Sequence, residues 1–242
     1  MIVSCDLHVH SCLSPCAEAE MTPGNIVAMA KLKGLQLIAL TDHQSCANCG
    51  AAIAMAEAIG GPLVLPGLEV ESAEEIHLLC YLPSLAQAER FGQEIRQALP
   101  ERANRPEVFG EQILCDEHDR IVGREARLLL QPCRLDSLAV ADLARRHGGV
   151  CLPAHIDRDA YSMVTTLGTI PPEFPGRWVE LTRQADQAAL WRRLPELARF
   201  RVLRGSDAHR LADLAEPGWP LAVPGFRPDD TGRIQVIEAL LT

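Results

Sequence analysis

Residues 2–11 read IVSCDLHVHS, a short aliphatic run that delivers two histidines, His8 and His10, at its end. A run of this length and character marks a buried strand rather than a helix. Working outward, the pattern recurs. Apolar runs at 2–7, 35–41, 63–70, 76–82, 149–154, 178–181 and 201–204 read as strands, most of them without polar alternation. Helical patterns fill the intervals at 24–33, 51–59, 85–99, 137–147, 185–200 and 230–241. Thr22-Pro23 supplies an N-cap followed by proline at the first helical position, Asp136 supplies another cap, and glycines at 34, 60 and 148 supply stops. Pro195 divides the helix at 185–200 in two. Strand and helix alternating on this scale predict a parallel sheet or barrel, and 242 residues suit one barrel domain.

The segment 101–133 breaks the rhythm. Residues 112–115 and 120–124 flank DEHD at 116–119 and read as a hairpin, with 127–130 as a further short strand. We take it as an insertion, a lid or an oligomer contact, on a single domain spanning 1–242. Its arginines are interspersed with acids, so a solvated surface is an equal reading.

The polar residues at the strand ends carry the chemistry. His8 and His10 close the first strand, Asp42-His43 the second and Glu69 the third; His77 lies early in the fourth. His155 follows 149–154, and Asp207 and His209 follow 201–204. Side chains at consecutive strand ends converge on one mouth in α/β folds. Six of the eight histidines fall in this set, and fold stability does not require them there. Imidazole and carboxylate are the usual ligands of Zn, Mn and Fe. His118, in a charged turn, and His147, before the helix-ending glycines, read as surface residues. No serine nucleophile elbow or glycine-rich phosphate loop is present.

Charge and cysteine usage bound the partners. With 23 Lys plus Arg against 32 Asp plus Glu, the net charge is -9, so a stable nucleic-acid complex is not expected. The start MIVSCDLH has no basic segment and no long apolar stretch, which predicts no membrane contact and a cytoplasmic location. The nine cysteines are read as reduced. Cys12, Cys16, Cys46 and Cys49 admit three readings: small residues in tight loops, a structural zinc, or a redox or catalytic-metal contact.

CDLHVHS at 5–11, ALTDH at 39–43, PGLEV at 66–70, EIHLLCY at 75–81, PAHIDR at 153–158 and GSDAH at 205–209 together resemble the motifs of the PHP (polymerase and histidinol phosphatase) superfamily, in order. The resemblance implies an α/β fold, a distorted (β/α)7 TIM-like barrel with a small hairpin insertion. It also implies two or three divalent cations (Zn, Mn or Fe). His8, His10, Glu69 and Asp207 would hold the first, Glu69, His77 and His155 the second, and His43 and His209 the third. Asp6 and Asp42 would accept from imidazole N–H groups. The family's loop ligand falls at Pro15 here, in SCLSPCAEAEMTP, and the loop resembles a subset with a Cys-x-Ser-Pro-Cys stretch followed by an acidic residue. Glu18 is the preferred replacement, with Glu20 and Cys16 as alternatives.

The implied activity is a phosphoesterase that attacks a phosphomonoester or phosphodiester of a small phosphorylated metabolite or nucleotide with a metal-activated hydroxide. Glu69, Asp207 and His209 would act at the reacting centre, and Arg158 and Arg183 would grip phosphate. The rivals are a 5'-3' exonuclease or oligonucleotide-directed phosphodiesterase with the same metals, and a non-catalytic metal-binding regulatory module. Oligomeric state is open.

Overall fold

The computed structural model describes residues Met1–Thr242. Its centre is a five-stranded mixed sheet in the order β2 (Cys5–Val9), β3 (Leu37–Leu40), β4 (Leu63–Glu71), β5 (His77–Tyr81) and β8 (Val150–Pro153). The first three strands are parallel to one another, and β5 runs antiparallel to both its neighbours. A separate parallel pair, β9 (Trp178–Leu181) and β10 (Arg201–Arg204), stands at the open side. Short β1 (Ile2–Val3) pairs with β11 (Leu221–Ala222).

The open mixed sheet is consistent with the distorted barrel expected from the sequence, but the seven-fold closure of a (β/α)7 barrel is not formed. The sheet curls but stays open, because its two seams carry isolated bonds instead of ladders. At one seam Ile156 N–H donates to Glu180 O at 2.9 Å; at the other His10 N–H donates to Ala208 O at 3.0 Å. The reversed β5 has a local cause. Only Ser72–Ile76 separates it from β4, a turn closed by Ser72 N–H to Ile76 O at 2.9 Å with Glu75 left-handed at φ 59°. A parallel partner needs a crossover of a dozen residues or more, so a turn this short returns the chain antiparallel.

The five strands of the central sheet are buried on both faces. A 43-residue core takes Ile26 and Val27 from α1 (Pro23–Leu32), Ala52 and Ala56 from α2 (Cys49–Ile59), Phe91 and Ile95 from α3 (Leu85–Ala98) and Val140 and Leu143 from α5 (Ser137–Arg146). A 21-residue core on alternate strand positions is covered by Val236, Ile237 and Leu240 of α8 (Asp230–Leu241). Thr22 caps α1 through Asn25 N–H, and Pro23 opens it, as the sequence predicts. Pro195 does end α7 (Gln187–Arg193), which gives way to a 3-10 turn.

The insertion forms one short helix, α4 (Pro106–Phe109), and the hairpin β6 (Ile113–Cys115) with β7 (Ile121–Arg124). Residues 127–130 form no strand; Ala103 and Arg127 make a single bridge. The hairpin is tied to the mouth. Asn48 Nδ2 donates to Ile113 O at 3.1 Å, and Gly24 N–H and Thr22 Oγ1 both donate to Asp119 at 2.7 Å. No helix is long and apolar enough to cross a membrane.

Candidate metal centre

His8 lies on β2 and His10 directly follows its last residue; two apart along extended chain, they face the same side of the sheet. Their Nε2 atoms approach to 3.1 Å. Asp207 Oδ1 lies 3.3 Å from the first and 3.2 Å from the second. Glu69 reaches both, Oε1 to His8 at 3.3 Å and Oε2 to His10 at 3.3 Å. Asp207 is turned inward by a left-handed backbone, φ 52°, just past β10.

The hydrogen bonds behind these rings fix their tautomers. Glu180 faces His8 Nδ1 with Oε1 at 3.0 Å and Oε2 at 2.9 Å. A carboxylate only accepts, so Nδ1 carries the proton and Nε2 of the neutral ring presents a lone pair. Ser14 Oγ donates to Asp42 Oδ1 at 2.7 Å and so accepts from His10 Nδ1–H at 2.9 Å and from His43 N–H at 3.1 Å. Two bare nitrogens then face each other beside two carboxylates, an arrangement that repels unless a proton or cation lies between. Donors spaced this way around a tetrahedron leave about 2 Å to a common centre, the bond length of Zn to nitrogen or oxygen. The donor set fits a divalent cation.

Glu69 is the hub. Besides His8 and His10 it faces His43 Nδ1 at 3.1 Å, His77 Nδ1 at 2.9 Å and His155 Nε2 at 3.2 Å. His77 reaches it because β5 is reversed, which puts the start of that strand, not its end, at the mouth. Three sets of donors are close enough to hold an ion: His8, His10, Glu69 and Asp207; His43, Glu69 and His77; His10, His43 and His209. The first is the set expected from the motifs. The second has His43 where His155 was expected, although His155 also touches Glu69 and keeps a buried Nδ1 with no hydrogen-bond partner.

The charges follow from burial and crowding. Burial alone would depress His8, but Glu180, Asp207 and Glu69 outweigh it and hold its pKa well above the ordinary value. His10 is likewise lowered by burial, yet Asp207 and Glu69 bring it up to about 9. His43 is driven well below the ordinary value by burial, aided by its imidazole neighbours; burial and His10 take His209 down to about 4. Burial would raise Glu69, but His77, His8 and His43 hold it well below the usual carboxylate range.

Several expected residues stand elsewhere. Asp6 and Asp42 accept from no imidazole. Asp6 pins Ser206 N–H at 3.0 Å and Ala215 N–H at 2.8 Å, while Asp42 holds Ser11 and Ser14. Glu18 is half-exposed and pairs with Arg210 at 3.0 Å, outside the cluster, and Glu20 is exposed on the same loop. Cys16, by contrast, puts Sγ 3.1 Å from His209 Nε2. Arg158 is at the mouth, with Nη2 2.6 Å from Asp207 Oδ2. Arg183 is not; it donates to Asp213 O and lies over the Trp219 ring. Tyr161 stacks on His77 with centroids 4.6 Å apart. The four cysteines weighed for a structural zinc are dispersed: Cys12 faces Cys115 at 3.7 Å, and Cys46 and Cys49 join the large core.

Glu180 and Ser14 were missed from sequence. Glu180 lies inside the predicted strand 178–181, where a lone acid among Trp, Val and Leu signals a buried carboxylate in need of partners. Ser14 carried no comparable signal.

This fold and site define a metal-dependent hydrolase of the phosphoesterase class, with two to three donor clusters for divalent cations. The PHP domain profile matches residues 6–131, just over half of the chain, and the chain belongs to the PHP family. No curated protein sequence matches it. Among solved structures it is similar to the lesion-specific endonuclease PfuEndoQ from Pyrococcus furiosus, at 20% identity and TM-score 0.61, over 88% of this chain and 50% of that one. A second endonuclease Q structure, in complex with a 27-mer duplex carrying an abasic lesion at the active site, matches at 21% identity and TM-score 0.61, over 87% and 50% of the two chains. The chain thus spans about half the length of the endonuclease Q chains. A protein described as a metal-dependent phosphoesterase, from Bifidobacterium adolescentis, matches at 20% identity and TM-score 0.59, over 96% of this chain and 94% of that one. The expectation against a nucleic-acid complex is corrected by these neighbours, since a chain sharing this fold holds duplex DNA. That expectation rested on net charge, which says little about the field at a site where cations reverse the local sign.

Proposed function

We propose that this chain is a phosphodiesterase acting on nucleic acid through two or three bound cations. The observation that carries the reading is the openness of the mouth. Arg158, at 47% side-chain exposure, and exposed Tyr161 stand over Asp207 and His77. A cavity of 690 Å³ lies away from the mouth, lined by Ile53, Leu85, Ile237 and Leu241. Sites for small molecules enclose most of their ligand, whereas a shallow mouth admits one phosphate of a long polymer. The likeness to endonuclease Q supports the same reading.

In this proposal His8, His10, Glu69 and Asp207 hold the first cation, Glu69 and His77 with His43 or His155 the second, and His43 and His209 the third. Zn, Mn and Fe suit these donors better than Mg. The cations supply an acidified water and offset charge on the phosphoryl oxygens. Glu180 and Ser14 keep the His8 and His10 lone pairs aimed inward. Arg158 releases Asp207 and offers its planar fork to a phosphate oxygen pair. Residues 1–242 act as one catalytic domain, and the hairpin of 101–133, pinned over the loop after His10, forms one wall of the mouth.

The test compares labelled single-stranded DNA, intact duplex, abasic duplex and p-nitrophenyl phosphate as substrates for Mn- or Zn-loaded protein. Cleavage of a DNA substrate that chelator abolishes, and that His8→Ala lacks, is the expected result. Turnover of the monoester alone would overturn the choice of substrate.

A further inference from the structure

We infer that Cys16, one residue past the position where the family resemblance places a loop ligand, is a thiolate ligand of the third cation. The inference rests on the metal-dependent reading above and deepens it. Three imidazoles, His10, His43 and His209, already come close enough to share an ion. His209 donates Nδ1–H to Asp207 O at 2.8 Å, so its Nε2 presents a lone pair; Cys16 Sγ stands at the edge of this group, outside the three-imidazole set and 3.1 Å from His209 Nε2.

The loop holds the sulfur there from both sides. Upstream, Ser14 is locked between Asp42 and His10. Downstream, Glu18 N–H donates to His209 O at 3.0 Å, and Ala17 N–H returns to Ser14 O at 2.9 Å. Pro15 is buried, and Gly110 of the insertion packs so tightly on its carbonyl that an added Cβ would lie 2.1 Å away. The competing carboxylates are engaged or remote, Glu18 by Arg210 and Glu20 at the loop's outer end. Cys16 is also the one exposed thiol; the other eight are buried. A sulfur donor narrows the choice of ion at this position to Zn, Fe or Co, since Mn and Mg prefer oxygen.

Chelator-stripped protein loaded with Co²⁺ tests this. A thiolate-to-cobalt charge-transfer band should appear in the wild type. Cys16→Ala should lose the band and about one ion per chain, and Cys16→Asp should regain the ion without the band. Iodoacetamide should alkylate Cys16 in the metal-free wild type and react roughly tenfold more slowly after loading; this arm needs no variant to fold. Cobalt bound without the band, or alkylation equally fast in both forms, overturns the thiolate and leaves the metal-dependent reading standing. A wild type that binds no cobalt overturns both.

Discussion

Glu180 grips His8 with both carboxylate oxygens, at 3.0 and 2.9 Å from Nδ1, and the same carboxylate accepts from His155 N–H at 2.9 Å. One buried acid therefore orients a side chain on β2 and holds the backbone of His155 in its unusual φ of 27°. Glu180→Gln removes the charge and half of the accepting capacity. The expected result is metal affinity weaker by roughly 10–100-fold with an unchanged circular dichroism spectrum. Chelator competition measures it.

Gly205 leaves no room beside that carboxylate. A Cβ there would lie 2.1 Å from Glu180 Oε1 and 2.6 Å from His8 Cβ. Gly205→Ala should displace Glu180, cost about 1–3 kcal/mol of stability and lower metal occupancy as well. Thermal melts with elemental analysis would show both effects; a variant that matches the wild type in both would refute the packing argument.

Protons and cations compete for His10. Its pKa is raised to about 9 in the metal-free protein, against an ordinary value near 6.5. A raised histidine stabilises the metal-free fold fully below pH 6.5, and that contribution fades as pH climbs through about 9. Metal affinity has the opposite slope, rising over the same window as the competing proton leaves. Calorimetric titrations in buffers of different ionisation enthalpy should register proton release on Zn²⁺ binding near neutrality and little at the upper end of the window.

Arg158 should separate binding of substrate from binding of metal. It is about half-exposed and touches the cluster only through Asp207 Oδ2. Arg158→Ala is expected to raise KM by roughly tenfold with full metal content, and Arg158→Lys to rescue it poorly because a point charge cannot copy the fork. Steady-state kinetics beside metal analysis decide it.

Stripping the cations should destabilise the fold. An ion present at a hundred times its Kd adds about 2.7 kcal/mol, so chelator should lower Tm by several degrees and readdition should restore it.

The strand-end positions of His8, His43, Glu69, His155 and Asp207 were legible because burial and period-two geometry leave a strong trace in a short apolar run. The reversal of β5 was not. Its residues look like those of any buried strand, and direction is decided by the five-residue turn before it. Asp6 and Asp42 illustrate a different gap. Their motif neighbours suggest contact with imidazole, but a carboxylate pairs with whichever N–H the folded chain presents, and here those belong to Ser206, Ala215 and Ser11. Glu180 contacts a residue far from it in sequence, so only the folded chain reveals the pair.

The short turn between β4 and β5 also separates the cluster into parts that assemble at different times. Glu69 and His77 belong to one hairpin and can meet as soon as that hairpin forms, on the microsecond scale of local closure. His8 meets Asp207 and Glu180 only after the chain beyond β8 has returned to the strand where it began, a closure of high contact order. An ion entering early finds two donors close together in sequence and incomplete coordination. Full occupancy therefore reports on late folding, and release of the first cation should be an early sign that the segment carrying β9 and β10 has come away.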